Sequence, residues 1–221
     1  MTHQHDDHAH HDHDHGPHPF QPDLEDSPLT HHMALAEAVA DLLVAKRVFT
    51  AAELRQTFEE IDSRSPADGA RLVARAWVDP GFHDLVMQDV NAAAAQLGID
   101  AGGIPIRAVQ NTADTHNVIV CTLCSCYPRL LLGASPDWYK SRAYRSRVVR
   151  EPRAVLHELG LDLPADRRIL VHDSTAELRY LVVPERPAAT AGWDETKLAA
   201  IVTRDCMIGV AVPEVPRATA G

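Results

Sequence analysis

Apolar residues between positions 29 and 99 recur at the spacing of α-helices. In the first stretch Leu35, Val39 and Leu42 fall on one helical face, and Lys46-Arg47 suit a last turn. Thr50-Ala-Ala-Glu53 has the form of a capping box, in which two side chains satisfy free backbone N–H groups at the start of a helix. The pattern therefore predicts one helix that ends near position 47 and a second that opens at position 50.

Two more helices are predicted before position 99. One contains Leu72 and Trp77 and ends before Pro80, and the other runs from Phe82 to Leu97 and is closed by Gly98. These helices carry no obvious catalytic pair of polar residues. We therefore interpret residues 29–99 as a helical arm that acts as a scaffold and as a docking surface for another subunit.

After Gly102-Gly103 the pattern changes to short β-branched runs that predict strands. They lie at 104–109 and 118–120, and a strand pair joined by a polar turn is predicted at 169–171 and 178–183. Helices are expected near 136–145, 151–159 and 194–202. The predicted fold class is α+β, with the helical arm followed by a layered α/β (α-β-β-α) metal-binding domain over residues 100–213.

The two ends of the chain are predicted to be tails. Residues 1–28 form a His/Asp-rich segment, with eight histidines and four aspartates in the first twenty positions, and we expect it to be disordered. Its imidazoles could bind divalent metal weakly, and a merely solvated tail is the alternative. Residues 214–221 are predicted to form a C-terminal tail.

Charge and hydropathy exclude several classes of function. The formal net charge of −10 argues against a nucleic-acid partner, because no basic face is implied. We interpret the arginines between positions 142 and 153 as a subunit interface. No stretch approaches the roughly 20 apolar residues of a membrane span. The start of the chain lacks the apolar core of a secretory signal, so a cytoplasmic location is expected.

The cysteines point to metal chemistry. Three of the four lie in the run Cys121-Thr-Leu-Cys124-Ser-Cys126, and Cys206 lies far downstream. A disulfide framework would spread its cysteines to close loops. A structural zinc site needs four protein ligands, so Cys206 or a tail histidine would have to complete one here.

A different coordination set is available to so short a loop. Three thiolates and the deprotonated backbone nitrogens of Ser125 and Cys126 can occupy five positions around one ion and leave the sixth to water. Such donors favour a low-spin trivalent ion, which as a Lewis acid would activate water and polarise a nitrile nitrogen. Thiolates in this setting are also prone to oxidation to sulfenic and sulfinic acids. A non-catalytic metal-handling protein is the alternative in another class.

The run Val120-Cys-Thr-Leu-Cys-Ser-Cys-Tyr-Pro128 resembles the metal claw of the nitrile hydratase alpha and thiocyanate hydrolase gamma family. The resemblance covers about residues 35–213. Further stretches that resemble the family, in the same order, are 135–140, 144–153, 177–180, 183–187 and 202–205.

This resemblance implies roles for individual residues. Cys121, Cys124 and Cys126 would be the sulfur ligands, with the main-chain nitrogens of Ser125 and Cys126 completing the set. Cys124 would be a sulfinic acid and Cys126 a sulfenic acid, and we assign catalytic roles to Cys126, Cys124 and Ser125. The residues expected around the metal loop or at the substrate are Tyr127, Arg129, Arg145 and Arg147.

The family also implies a cofactor and partners. Thr122 and Tyr127 match the cobalt-type pattern, so one non-corrin cobalt(III) ion per subunit is expected rather than iron. A beta-type partner subunit, whose arginines bind the oxidised sulfurs, would complete the active site. A metal-insertion accessory protein is a further expected partner.

The expected substrate is a small molecule with a carbon–nitrogen triple bond. Arg129 follows Tyr127-Pro128 where nitrile hydratases typically carry tryptophan, and Asp205-Cys206 also resembles the gamma side. A guanidinium near the pocket would attract the thiocyanate anion; pairing of Arg129 with a carboxylate of the partner is the alternative. The sequence thus favours a thiocyanate hydrolase gamma-type subunit that yields carbonyl sulfide and ammonia, and a nitrile hydratase alpha subunit that yields an amide remains the alternative.

Overall fold

The computed structural model describes residues 30–216. The tail predicted at 1–28 lies outside these residues, as do positions 217–221 of the predicted C-terminal tail. The described residues form a mixture of helices and strands, which confirms the predicted fold class. Internal contacts divide the chain into two units, one ending at Glu53 and the other beginning at Leu54.

Five helices precede the first strand. They are α1 (His31–Ala45), α2 (Ala51–Ser63), α3 (Ala67–Val78), α4 (Pro80–Gln88) and α5 (Val90–Gln96). None of the residues of α1 or α2 is buried. The predicted capping box is confirmed, since the Glu53 N–H donates to Thr50 Oγ1 at 3.1 Å and the Thr50 N–H donates to Glu53 Oε2 at 2.7 Å.

The second half alternates short strands and short helices. The strands are β1 (Ile106–Gln110), β2 (Thr115–Val120), β3 (Arg168–Asp173) and β4 (Arg179–Val183). The helices are α6 (Arg129–Leu132), α7 (Asp137–Lys140), α8 (Arg142–Arg147), α9 (Pro152–Glu158), α10 (Glu195–Ala199) and α11 (Arg204–Ile208), with a 3₁₀ turn at Ala188–Thr190.

The prediction of a single helix from Phe82 to Leu97 is wrong. The helix is interrupted at Asp89, and two helices, α4 and α5, form instead. Asp89 has extended backbone angles (φ −153°, ψ 99°), and its side chain accepts from the Ala92 N–H at 2.9 Å. An aspartate that caps a new helix competes with continuation of the previous one. The apolar spacing on both sides of the break hid it in the sequence.

The predicted strand pair of 169–171 with 178–183 is also wrong. Each of these strands forms but pairs in parallel with an earlier strand: β3 with β2, and β4 with β1. Leu181, Val182 and Val183 are all buried. A continuous buried apolar run is typical of a strand covered on both faces, as parallel strands are.

One hydrophobic core lies in the second unit. Leu72 of α3 and Val86 of α4 belong to the same buried cluster as Val118 of β2 and Leu181 of β4. The domain limits at 99 and 213 stay predictions, and within this unit packing extends across position 99. No helix within residues 30–216 is both long enough and apolar enough to cross a membrane.

Parallel pairing of β2 with β3 determines what surrounds the cysteine loop. Val120, the last residue of β2, lies opposite Asp173, the last residue of β3. The Ser174 N–H donates to the Val120 carbonyl at 2.7 Å. The carboxyl ends of both strands therefore meet at one edge, where Cys121 begins the loop.

Candidate metal centre

The three clustered cysteines bring their sulfur atoms together directly after β2. Cys121 and Cys124 sulfurs lie 3.5 Å apart, and those of Cys124 and Cys126 lie 3.3 Å apart. All three lie within 4.8 Å of one another, and they are the one group of potential metal ligands found among residues 30–216. Cys206 is not part of it, so the four-cysteine zinc site weighed from the sequence does not form in the described residues.

The two sulfur–sulfur distances of 3.3 and 3.5 Å are short enough for ligands of a single metal ion. With metal–sulfur bonds of about 2.3 Å, neighbouring sulfurs lie about 3.3 Å apart at right angles and about 3.8 Å apart at tetrahedral angles. The Cys124 N–H donates to the Cys121 sulfur at 3.3 Å, and the backbone N–H groups of Ser125 and Cys126 act to lower the pKa of the Cys124 thiol. Two main-chain nitrogens and three sulfurs thus converge on one small region, and the residues present fit a metal ion there.

Exposure is highest in the middle of the loop. Cys121 is buried at 1%, Cys126 is half-buried, and Cys124 is exposed. Leu123 is 85% exposed, which is high for an apolar side chain. The loop is therefore anchored in the core at its first ligand and open on its outer face.

The thiols of the loop differ in acidity. Hydrogen bonds from Cys126 and Cys121 and from nearby N–H groups lower the pKa of the Cys124 thiol to about 7. Burial raises the pKa of Cys126 to about 12, and the positive charge of Arg179 acts in the opposite direction. Of these two thiols, Cys124 is thus the more readily available as a thiolate.

Asp173 fixes the start of the loop. Its carboxylate accepts from the Thr122 N–H at 2.9 Å and from the Thr122 hydroxyl at 2.6 Å. On the other side, Nη1 of Arg145 donates to the Thr122 carbonyl at 3.1 Å. Thr122 is thereby held by both of its backbone groups and by its side chain.

Buried tyrosines form hydrogen bonds to the backbone of the loop and of the strand before it. The Tyr139 hydroxyl donates to the Cys126 carbonyl at 2.9 Å, and the Tyr144 hydroxyl donates to the Ile119 carbonyl at 2.8 Å. Burial raises the pKa of both tyrosines, so they remain neutral donors. Tyr127 packs on Tyr139 with ring centroids 5.3 Å apart. These contacts fix β2 near its end, at Ile119, and the end of the loop at Cys126.

Replacing Asp173 by alanine is expected to lower the metal affinity of the loop about 10- to 100-fold, the usual cost of losing a residue that orients metal ligands. Thr122 would lose two hydrogen bonds, and the loop would have to be ordered by the ion itself. Metal content measured by elemental analysis after dialysis against a graded chelator series tests this.

The matched control is Asp137→Ala, which removes an exposed carboxylate at the start of α7. We expect that variant to retain the metal as the wild type does. Equal retention by Asp173→Ala and Asp137→Ala would contradict the role of Asp173.

A cavity of about 570 Å³ opens beside the loop. Cys124, Ser125 and Cys126 form one wall, and Tyr127 and Arg129 continue it. Three cationic residues line the cavity: Arg129, Lys140 and Arg179. None of the described residues that line it is acidic.

The structure brings together most of the residues singled out in the sequence. Cys124, Ser125, Cys126, Tyr127 and Arg129 border the cavity. The Cys121 sulfur contacts that of Cys124 without lining the cavity, and Arg145 contacts the loop through Thr122. Arg147 lies elsewhere: its guanidinium forms ion pairs at 2.6 Å with Glu151 and with Glu158. A role for Arg147 at a partner contact stays a prediction.

Sequence reasoning missed Asp173, Tyr139 and Arg179. Tyr139 and Arg179 fall in stretches that resemble the family, which was the available signal. For Asp173 the signal was absent, because its place beside Thr122 follows from the pairing of β3 with β2.

Comparison with known proteins finds related sequences. The family model described as nitrile hydratase, alpha chain, matches residues 30–211. Thiocyanate hydrolase subunit gamma of Thiobacillus thioparus is 44% identical over 192 residues, covering 81% of this chain and 79% of that protein. The high-molecular weight cobalt-containing nitrile hydratase subunit alpha of Rhodococcus rhodochrous is 45% identical over 185 residues, covering 82% of this chain and 91% of that one.

Solved structures are similar over nearly their whole length. A recombinant thiocyanate hydrolase comprising partially modified cobalt centres superposes with a TM-score of 0.79 at 40% identity, covering 87% of this chain and 99% of that one. A double mutant of the Fe-type nitrile hydratase from Comamonas testosteroni Ni1 gives a TM-score of 0.78 at 37% identity, covering 86% of this chain and 97% of that one.

Proposed function

Since the chain belongs to the nitrile hydratase alpha-chain family, we propose that it is the metal-bearing catalytic subunit of an enzyme that adds water to thiocyanate, releasing carbonyl sulfide and ammonia. The observation that carries the substrate assignment is the cationic cavity beside Cys126. Hydration of an organic nitrile to an amide by the same site is the second candidate.

The ion in this site is proposed to be one non-corrin cobalt(III). The three cysteine sulfurs and the backbone nitrogens of Ser125 and Cys126 would hold it. Relatives named as cobalt-containing support cobalt, and similarity to an Fe-type enzyme makes iron the alternative. When bound, a trivalent ion supplies a Lewis acid that polarises a nitrile nitrogen and lowers the pKa of water.

The chain's own residues would prepare the site for that chemistry. Cys124 is proposed to be a sulfinic acid and Cys126 a sulfenic acid, whose oxygen borders the cavity where substrate would lie. The burial of Cys121 and the hydrogen bonds to Thr122 and Cys126 keep the loop rigid, so the ligand atoms need little reorganisation.

A partner completes the proposed enzyme. The outer face of the loop is open, and Leu123 exposes an apolar side chain there. A beta-type subunit that covers this face would exclude water from the site and supply arginines to the oxidised sulfurs. A metal-insertion accessory protein and a cytoplasmic location, where thiols stay reduced until the metal is bound, are parts of the same proposal.

Electrostatics favour an anionic substrate. Arg129, Lys140 and Arg179 place three positive charges around one cavity, with no acidic residue among its described lining. Cations in a concave site concentrate anions and raise their association rate. This positive potential attracts the thiocyanate anion to the cavity, whereas it has little effect on the binding of a neutral nitrile.

The shape of the cavity is what favours the second candidate. Ile104, Ile106 and Leu130 supply an apolar wall, and about 570 Å³ is far more space than a triatomic anion occupies. An aliphatic nitrile would fit against that wall. The two candidates therefore differ in what they predict for variants that lack a cationic residue. Loss of a positive charge should raise KM for thiocyanate but not KM for a neutral nitrile.

The deciding experiment compares both substrates with the cobalt-loaded complex of the chain and its partner. Carbonyl sulfide and ammonia release from thiocyanate is measured beside amide release from propionitrile. We expect turnover of thiocyanate to dominate; turnover of propionitrile alone would assign the second candidate.

Arg129→Gln is expected to raise KM for thiocyanate by about fivefold, because one unit charge near the site contributes about 1 kcal/mol at high dielectric. Any residual turnover of propionitrile should keep its KM. The control Arg107→Gln removes an exposed arginine of β1 that does not line the cavity. Equal KM values for thiocyanate in wild type and Arg129→Gln would remove the electrostatic argument.

Metal state separates the enzyme from a metal-handling protein. An enzyme of this type keeps its ion through dialysis and carries oxygen on two cysteines, whereas a carrier exchanges the ion and keeps plain thiols. Peptide mass spectrometry of residues 119–129, together with elemental analysis, distinguishes the two.

A further inference from the structure

Arg179, the first residue of β4, has a buried donor that nothing in the described chain satisfies. Its Nη1 is shielded from solvent and has no hydrogen-bond partner among residues 30–216. Arg145, which contacts the loop, is engaged by contrast: its Nη1 donates to the Thr122 carbonyl. A buried charged donor without an acceptor is costly, so an acceptor from outside the described chain would stabilise this group.

Arg179 lines the same cavity as Cys126, the last proposed ligand of the loop. Register pairing places it beside Ile106 of β1, and both residues line the cavity together with Cys126. Since no described lining residue is acidic, the guanidinium has no competing carboxylate within the cavity.

We propose that Arg179 is a positioning residue whose Nη1 donates a hydrogen bond to the oxygen carried by the Cys126 sulfur. The inference rests on the proposed function, which assigns a sulfenic acid to Cys126. A guanidinium suits this task because it stays charged and holds its donors in a fixed plane. The hydrogen bond orients the oxygen towards the cavity and withdraws electron density from the sulfur.

The test is the rate at which peroxide oxidises Cys126 further in the metal-loaded complex. In that reaction the O–O bond of hydrogen peroxide breaks, one oxygen atom passes to the sulfenate sulfur, and water leaves. The sulfur loses two electrons and becomes a sulfinate. Peptide mass spectrometry of residues 119–129 follows the added oxygen atom at Cys126 over time.

Arg179→Met is expected to speed this oxidation about tenfold or more, a factor that corresponds to about 1.4 kcal/mol. Arg179→Lys keeps the positive charge and should recover part of the protection. Arg107→Met, the matched control, removes an exposed arginine from β1 outside the cavity and should oxidise at the wild-type rate. Metal content is measured in every variant.

The outcomes separate this inference from the function on which it rests. If wild-type Cys126 carries no oxygen, the sulfenic acid assignment is wrong and the inference fails with it. If wild-type Cys126 is oxygenated and Arg179→Met oxidises at the wild-type rate, only the inference is overturned. Should Arg179→Met fail to load metal, Arg179→Gln takes its place; loss of metal in both would make Arg179 a structural residue and also overturn the proposal.

Discussion

Replacing Cys121 by serine is expected to abolish metal binding and to lower turnover by at least about 10³-fold, since the loss of a Lewis acid removes several kcal/mol of stabilisation from the transition state. Cys121 is the proposed ligand that is anchored in the core; it is 1% exposed and directly follows β2. A serine hydroxyl is a harder and weaker donor than a thiolate for an ion of this type.

Cys206→Ser is the matched control for that variant. Cys206 is also buried at 1%, but its sulfur contacts the Thr203 hydroxyl at 3.2 Å and lies outside the cluster. Elemental analysis and turnover are measured on complexes of both variants prepared in cobalt medium. Full metal content in Cys121→Ser, or metal loss in Cys206→Ser, would contradict the assignment of the ligands.

Gly209→Ala is expected to destabilise the fold by at least about 3 kcal/mol, which combines about 1–2 kcal/mol for the left-handed backbone with overlap of atoms in the core. Gly209 ends α11 with φ +91°, and a Cβ atom there would lie 2.0 Å from the Asn117 carbonyl oxygen. No side-chain rotation can relieve a contact with backbone, so β2 or α11 would have to move.

The comparison variant is Gly160→Ala. Gly160 has nearly the same backbone angle, φ +90°, but a Cβ atom there would meet nothing within 4 Å. Only the backbone strain should then remain. Thermal denaturation of the assembled complex at one fixed concentration should show a small shift for Gly160→Ala and a much larger one for Gly209→Ala; equal shifts would refute the steric account.

The close approach of Gly209 to β2 also gives the buried His116 of that strand a hydrogen-bond partner. His116 is fully buried, its Nε2 lies 2.7 Å from the Gly209 carbonyl, and its Nδ1 lies 3.2 Å from the Asn111 side-chain nitrogen. These partners fit a neutral ring that donates from Nε2 and accepts at Nδ1, and burial lowers the pKa of His116 accordingly. His116 therefore fastens α11 to the strand that leads into the metal loop.

Local features of the sequence determined the composition of the candidate metal centre and most of the helices. A C-x-x-C-x-C run brings three sulfurs together because so few residues separate them, whatever the rest of the fold does. The capping box at Thr50 and the apolar spacing in α3 act within a few residues. Such short-range signals can be seen without knowledge of any distant contact.

The tertiary structure alone decided which strands pair and what surrounds the loop. Alternation along a strand indicates which faces are buried but does not specify its neighbour, so the pairing of β3 with β2 could not be read from either run. That pairing places Asp173 beside Thr122, and the pairing of β4 with β1 places Arg179 at the cavity. Asp173 and Arg179 lie about 50 residues beyond the loop in the sequence. Hydrogen bonds and charges depend on distance in space, so only the folded structure shows that these residues lie near the loop.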